Sequence, residues 1–194
     1  FGSYFAIEKR EGEIMREISL HILDLVQNSL AAQAKNIWIT VMENRFEDKM
    51  VIKIKDDGRG MSEEALDKVL DPFYTTRTTR KVGLGIPLLA ANAQACEGNL
   101  EVKSVLGEGT SLEATFRLSH LDCPPLGDMP STLIALFSAS PEVNFFYEHK
   151  CEEKSFQIST REVKENLTGL SLQNPLVLGW LQDFFKIKEQ ELQK

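Results

Sequence analysis

Two polar residues one helical turn apart, Asp24 and Asn28, lead the residues of this 194-residue chain that could do chemistry. From Arg16 to about Ala34 the residues Ile18, Ile22, Leu25, Val26, Ser29 and Leu30 recur at steps of three and four, the period of a buried helix face. Glu17, His21, Asp24 and Asn28 fall within about 60° of one another on that helix, as a narrow polar stripe. Buried polar groups must find partners. A solvated edge or a structural hydrogen-bond network would supply them. So would a ligand: the neutral amide oxygen of Asn28 suits a hard cation such as Mg2+, and Asp24 could orient or deprotonate an attacking water or hydroxyl.

Three glycine-bearing loops add to this. Asp56-Asp57-Gly58-Arg59-Gly60-Met61 follows a strand pattern directly. Its glycines allow a tight turn and a close backbone approach, and a carboxylate at a strand end can accept a hydrogen bond from an exocyclic amine such as that of adenine. Lys81-Val82-Gly83-Leu84-Gly85-Ile86 opens a helix, and backbone amides at a helix start make an anion site. Arg77, Arg80 and Lys81 place three cations before it with no acid between them, in a chain of net charge −7. Gly107-Glu108-Gly109-Thr110 sits in a turn leading into a strand. Taken singly, each loop also fits an ordinary structural turn.

The elements that must position these residues follow from periodicity. After the first helix, Asn36–Glu43 and Lys49–Lys55 alternate as strands joined by a charged turn. Ser62 caps a short helix with Glu63 and Glu64 in its first turn. Gly85 to Cys96 is a helix ended near Gly98, and Asn99–Val105 and Thr110–Leu118 are strands. Pro124, Pro125 and Gly127 mark a linker within Leu121–Met129. Beyond it come a helix near Ser131–Ser138, a hairpin of Asn144–Lys150 and Ser155–Ile158, a short helix after Thr160 and a last helix from about Asn174.

Composition sets limits. An apolar fraction of 42% supports a core, and a net charge of −7 disfavours nucleic acid and anionic lipid as partners. No run reaches the ~20 mostly apolar residues of a membrane span, and no leader pattern is visible. Cys96, Cys123 and Cys151 are odd in number and widely spaced, which fits reduced thiols and a cytoplasmic location. His120 and His149 have no metal-spaced partners and read as surface residues.

The order of motifs is informative as a whole: Asp24-x-x-x-Asn28 on a helix, a strand pair, DDGRGM, a helix, DPFYTT, a basic loop, a GLG helix, a strand, GEGT, a strand. From Arg16 to Leu118 this series resembles the GHKL ATPase superfamily of gyrase, the large heat-shock chaperone, histidine kinases and MutL. The resemblance implies a two-layer α/β sandwich with ATP held between helices and a flexible lid, and divides the chain into an extension (1–15), the ATPase domain (16–118) and a C-terminal α+β extension (119–194). It implies that Asn28 ligates Mg2+ and that Asp24 stands at the position of the catalytic acid/base. Asp56 would bind the adenine amine, with Gly58, Gly60 and Met61 beside the base and Thr110 supporting Asp56. Phe73 would anchor a lid running from about Tyr74 to Val82. Gly83, Leu84, Gly85 and Ile86 would bring backbone amides to the phosphates, with Arg77, Arg80 and Lys81 as further phosphate contacts.

This chain also departs from the pattern. Family hydrolases usually carry Glu where Asp24 stands, and many histidine kinases carry a basic residue where Ala31 stands. Asn28-Ser29-Leu30-Ala31-Ala32-Gln33-Ala34 looks closer to MutL, whereas DPFYTT and the short lid look closer to histidine kinases. The resemblance implies an ATP-dependent kinase-like domain that phosphorylates or regulates a protein partner. The alternatives are a slow nucleotide-gated ATPase switch and an ATP-sensing module without turnover. His21 lies on the nucleotide-site helix itself and reads as a structural neighbour of Asp24 or Glu17, not as a phosphoryl acceptor. In the tail, Leu176, Val177, Trp180, Leu181, Phe184 and Phe185 give the last helix an apolar face, either packed on the domain or open to a partner or a second copy. Phe145, Phe146 and Tyr147 could extend a sheet.

Overall fold

The computed structural model describes residues 17–70, 85–167 and 169–193. The extension 1–15, the lid and the site residues Phe73, Arg77, Arg80, Lys81, Gly83 and Leu84 lie outside them. The elements are α1 (Ile18–Ala31), β1 (Asn36–Asn44), β2 (Lys49–Asp56), α2 (Glu63–Leu70), α3 (Gly85–Ala95), β3 (Asn99–Val105), β4 (Gly109–Arg117), α4 (Met129–Ala139), β5 (Asn144–Cys151), β6 (Lys154–Ser159), α5 (Thr160–Asn166) and α6 (Pro175–Gln193).

The strands form one mixed sheet in the order β3-β4-β2-β1-β5-β6. Only the β1–β5 pairing is parallel; the other four are antiparallel. The pleat sends alternate side chains to opposite faces. Ile37, Ile39 and Val41 of β1, Ile52 and Ile54 of β2, Leu112, Ala114 and Phe116 of β4, and Phe145 and Tyr147 of β5 therefore share one buried face. Helices α1, α3 and α6 pack on the sheet, and α4 bridges α1 and α6. Their buried residues, among them Ile18, Ile22, Leu89, Leu133, Phe137, Leu181 and Phe185, join the sheet in one continuous core. Each fully buried side chain of this kind contributes ~1.5–3 kcal/mol.

The tail is thus part of the sheet. The hairpin β5–β6 extends it through β1, with Asn36 opposite Asn144 and Glu43 opposite Cys151. The Pro-rich stretch is more than a linker. Ile18 and Ser19 donate their amides to the carbonyls of Pro125 (3.0 Å) and Leu126 (2.9 Å). Helix starts leave such donors unpaired, and Glu17 makes no side-chain cap, so this segment takes over the capping of α1. Asp128 then caps α4, accepting from the Ser131 amide at 3.0 Å.

His149 is not a surface residue. It is 2% exposed, with Nε2 3.0 Å from Glu43 of β1 and Nδ1 3.3 Å from Glu189 of α6. Burial pushes its pKa down, but the hydrogen bonds and charges of Glu189 and Glu43 outweigh burial and raise it to about 9. His149 therefore ties three elements together as a cation. The cysteines are free thiols, as the sequence suggested. Among the described residues no helix is long and apolar enough to cross a membrane.

Candidate nucleotide site

Asp56 ends β2 and is only 6% exposed. Ser29, on α1, donates its hydroxyl to Asp56 Oδ2 at 2.7 Å, and the Gly58 amide donates to Oδ1 at 2.9 Å. The carboxylate is fixed from both sides while keeping unused lone pairs on each oxygen. Sequence reasoning missed Ser29, which was legible only as one more step in the helical period. The signal was a hydroxyl on an otherwise apolar face.

Asp57, the next residue, does a different job. It accepts from the Lys35 amide (2.7 Å), the Asn36 amide (2.8 Å) and Asn36 Nδ2 (2.6 Å). Partial burial raises its pKa, but these hydrogen bonds prevail and hold the carboxyl below its usual value. The Arg59 amide donates to the Ala32 carbonyl at 2.9 Å, so the loop is stitched to the turn after α1. On the other side the Gly107 amide donates to the Arg59 carbonyl at 2.8 Å.

Glycine is required where this loop passes between its neighbours. Gly60 has φ +64°, and a Cβ there would run into the Val105 carbonyl. At Gly58 a Cβ would stand 2.9 Å from both the Cβ and the carbonyl oxygen of Ala32. Gly109 has φ +116° and lies against the Asp56 carbonyl.

Thr110 faces Asp56 in the β2–β4 register, but its hydroxyl pairs with Ser104 Oγ at 2.9 Å. Ser104 also accepts the Met61 amide at 2.9 Å. The hydroxyl pair therefore anchors Met61 to β3, and Thr110 stands opposite Asp56 in the backbone register. Met61 is partly buried against the core.

On α1, Asp24 and Asn28 are both partly buried. Gly85, the first residue of α3, lies so close to Asp24 that a Cβ there would collide with the carboxylate. The helix start, with its partial positive charge, is thereby set beside Asp24. Ile86 follows, partly buried against the core. His21 is 1% exposed, and its Nε2 lies 2.8 Å from Asn92 Nδ2 of α3. It is joined to α3 through Asn92. Asn92, two turns beyond Gly85 in an Ala- and Leu-rich helix, went unremarked in the sequence.

The structure thus sets Asp56 and Gly58 against the C-terminal half of α1 and Gly85 against Asp24, with Asn28 one turn beyond Asp24 on the same helix, Ile86 next to Gly85, and Gly60, Met61 and Thr110 gathered at Ser104 and Val105 of β3. An amide oxygen beside a carboxylate is a donor set that fits Mg2+. A fixed carboxylate with glycines packed beside it fits a purine amine.

This arrangement of helices and glycine loops on a mixed sheet has known counterparts. The family model for histidine kinase-, DNA gyrase B- and HSP90-like ATPases matches residues 14–120, and the chain belongs to that family. Similar curated proteins include sporulation kinase C of Bacillus subtilis, 28% identical over 96 residues, which make up 50% of this chain and 22% of that protein. Another is the sensor protein kinase WalK of Staphylococcus haemolyticus, 32% identical over 93 residues, 45% of this chain and 15% of that one. The chain therefore spans less than a quarter of the length of these relatives. Among solved structures, the N-terminal domain of a DNA repair protein superposes with a TM-score of 0.57 at 14% identity, covering 81% of this chain and 58% of that one. That likeness concerns the fold.

Proposed function

We propose that this chain binds ATP with Mg2+ and passes the terminal phosphoryl group to a protein partner. The observation that carries the reading is the fixed Asp56 carboxylate, held by Ser29 and the Gly58 amide, with Gly58 and Gly109 packed closely against that residue. Asp56 would accept the adenine amine, with Gly58, Gly60 and Met61 beside the base. Asn28 would hold Mg2+, which neutralises phosphate charge when bound. Asp24 would accept the proton that the partner's nucleophile loses as its bond to phosphorus forms and the bond to ADP breaks. The amides of Gly83, Leu84, Gly85 and Ile86 and the side chains of Arg77, Arg80 and Lys81 would hold the phosphates, with Phe73 anchoring the lid. The kinase names of the relatives support transfer over hydrolysis, and a cytoplasmic location accords with the free thiols.

The test is ATP binding, with and without Mg2+, in the wild type, Asn28→Ala and Asp56→Asn, followed by γ-labelled ATP with candidate partners. Asn28→Ala should lose the Mg2+-dependent part of the affinity. Asp56→Asn should lose at least about tenfold, because the amide nitrogen meets the adenine amine donor to donor. Unchanged Mg2+-dependent binding in Asn28→Ala rules out the metal assignment. If no partner takes the label, the chain does not transfer phosphate to them.

A further inference from the structure

The face of the sheet opposite the main core carries a second site, bordered by α5. A groove of about 240 Å3 lies over the β1, β5 and β6 strands, lined among others by Trp38, Phe146, Glu148, Gln157, Ser159 and Glu162. Drug-sized ligands need pockets of ~300–1,000 Å3, so this groove takes a single long side chain.

Its chemistry is one-sided. Trp38 and Phe146 are direct cross-strand neighbours, and their rings stack at 5.3 Å with an interplanar angle of 11°. Stacked against each other, they leave their outer faces as a platform, and ring faces carry negative potential. Lys55 Nζ already lies 5.7 Å from the Trp38 ring centre, so this ring attracts a cation within the chain itself. Glu148 and Glu162 add two carboxylates, and among the described residues lining the groove none is basic. Glu148 pairs with Lys150 at 3.0 Å, but both stay in contact with water, and pairs open to solvent are worth little. Ser159 is 8% exposed, and among the described residues its hydroxyl has no hydrogen-bond partner. A buried hydroxyl left unpaired costs stability unless something supplies the bond.

We propose that this groove receives an arginine side chain presented by a partner polypeptide. A guanidinium is planar, stacks on aromatic faces and donates from five N–H groups, which matches a ring platform flanked by two carboxylates, Gln157 and Ser159. A lysine ammonium is a strongly hydrated point charge with no flat face, and fits the platform less well. An apolar segment would bury the carboxylates unpaired, and an anionic one would be repelled. The groove is on the far side of the sheet from Asp24 and Asp56, so the assignment stands apart from the nucleotide reading.

The test uses the full chain carrying Trp180→Phe, which leaves Trp38 as the one tryptophan of the original two. Its emission is titrated with a blocked Gly-Arg-Gly peptide and with peptides carrying citrulline or lysine instead. The arginine peptide should give a saturable change at least about tenfold tighter than citrulline, and tighter than lysine. Glu148→Gln with Glu162→Gln should remove the preference for arginine over citrulline. Glu162→Gln alone, on an exposed helix, should weaken it if the double variant does not fold. ATP affinity measured on the same sample should be unaffected. No saturable change, an equal response to citrulline or lysine, or an unaltered preference in the folded variants overturns the proposal.

Discussion

At Asp56 one hydroxyl decides how well the carboxylate is held. Ser29→Ala should leave Oδ2 without its buried donor, costing ~1–3 kcal/mol of stability and weakening ATP severalfold. Thermal unfolding and calorimetric titration would check both effects. The glycines make a sharper comparison. Gly107 has φ +87° and open space around it, so Gly107→Ala should cost only the left-handed backbone penalty of ~1–2 kcal/mol. Gly60 has φ +64° and the Val105 carbonyl in the way, so Gly60→Ala should cost clearly more in urea unfolding. At this scale the sequence showed which residue types gather. It did not show which oxygen bonds to which hydrogen. The Thr110 hydroxyl goes to Ser104, and Ser29 takes the place beside Asp56, because the strand register sets those distances. Register is a tertiary quantity that no local motif encodes.

Among the elements, His149 joins β1, β5 and α6 through Glu43 and Glu189. Its folded pKa of about 9 lies above the ordinary 6.5, so its contribution is complete below pH 6.5 and is lost as pH rises through 9. The loss is on the order of 3 kcal/mol. Glu43 is held below its usual range, chiefly by the hydrogen bond with His149, so its share disappears only as pH falls through that lowered value. Urea unfolding between pH 6 and 9.5 should show the decline in the wild type and no such slope in His149→Gln. A second expectation concerns α4: Asp128→Ala removes its cap and should cost ~1 kcal/mol. The helices and strands themselves were legible, with ends within a residue or two for most, because apolar periodicity is strong in α1, β1, β2 and α6. The docking of residues 125 and 126 on the start of α1 was not legible. Pro and Gly signal a turn, and nothing in them names the amides it will meet. His149 was misread for the same reason: its two acids lie about 106 and 40 residues away.

For the molecule as a whole, the family match ends at residue 120 while the core continues. Removing residues 119–194 would uncover one edge of β1 and strip Leu133, Phe137, Phe145 and Phe185 from the core. Such a truncation should lose its cooperative unfolding transition in calorimetry. The two-layer class was legible from the motif order and the strand patterns. The position of the tail was not, since parallel pairing of β1 with β5 leaves no trace in either strand alone. That pairing also bears on how the chain reaches its native state. Asn36 and Asn144 stand 108 residues apart, and the ends of so long a loop must meet before any bond between them rewards the closure. During synthesis β1 emerges before β5 and waits with one edge open until β5 leaves the ribosome, which at ~5–20 residues per second is an interval of many seconds. Throughout that time the Ile37–Val41 strand is an unpaired hydrophobic edge, and chaperone dependence of the nascent chain should be concentrated there.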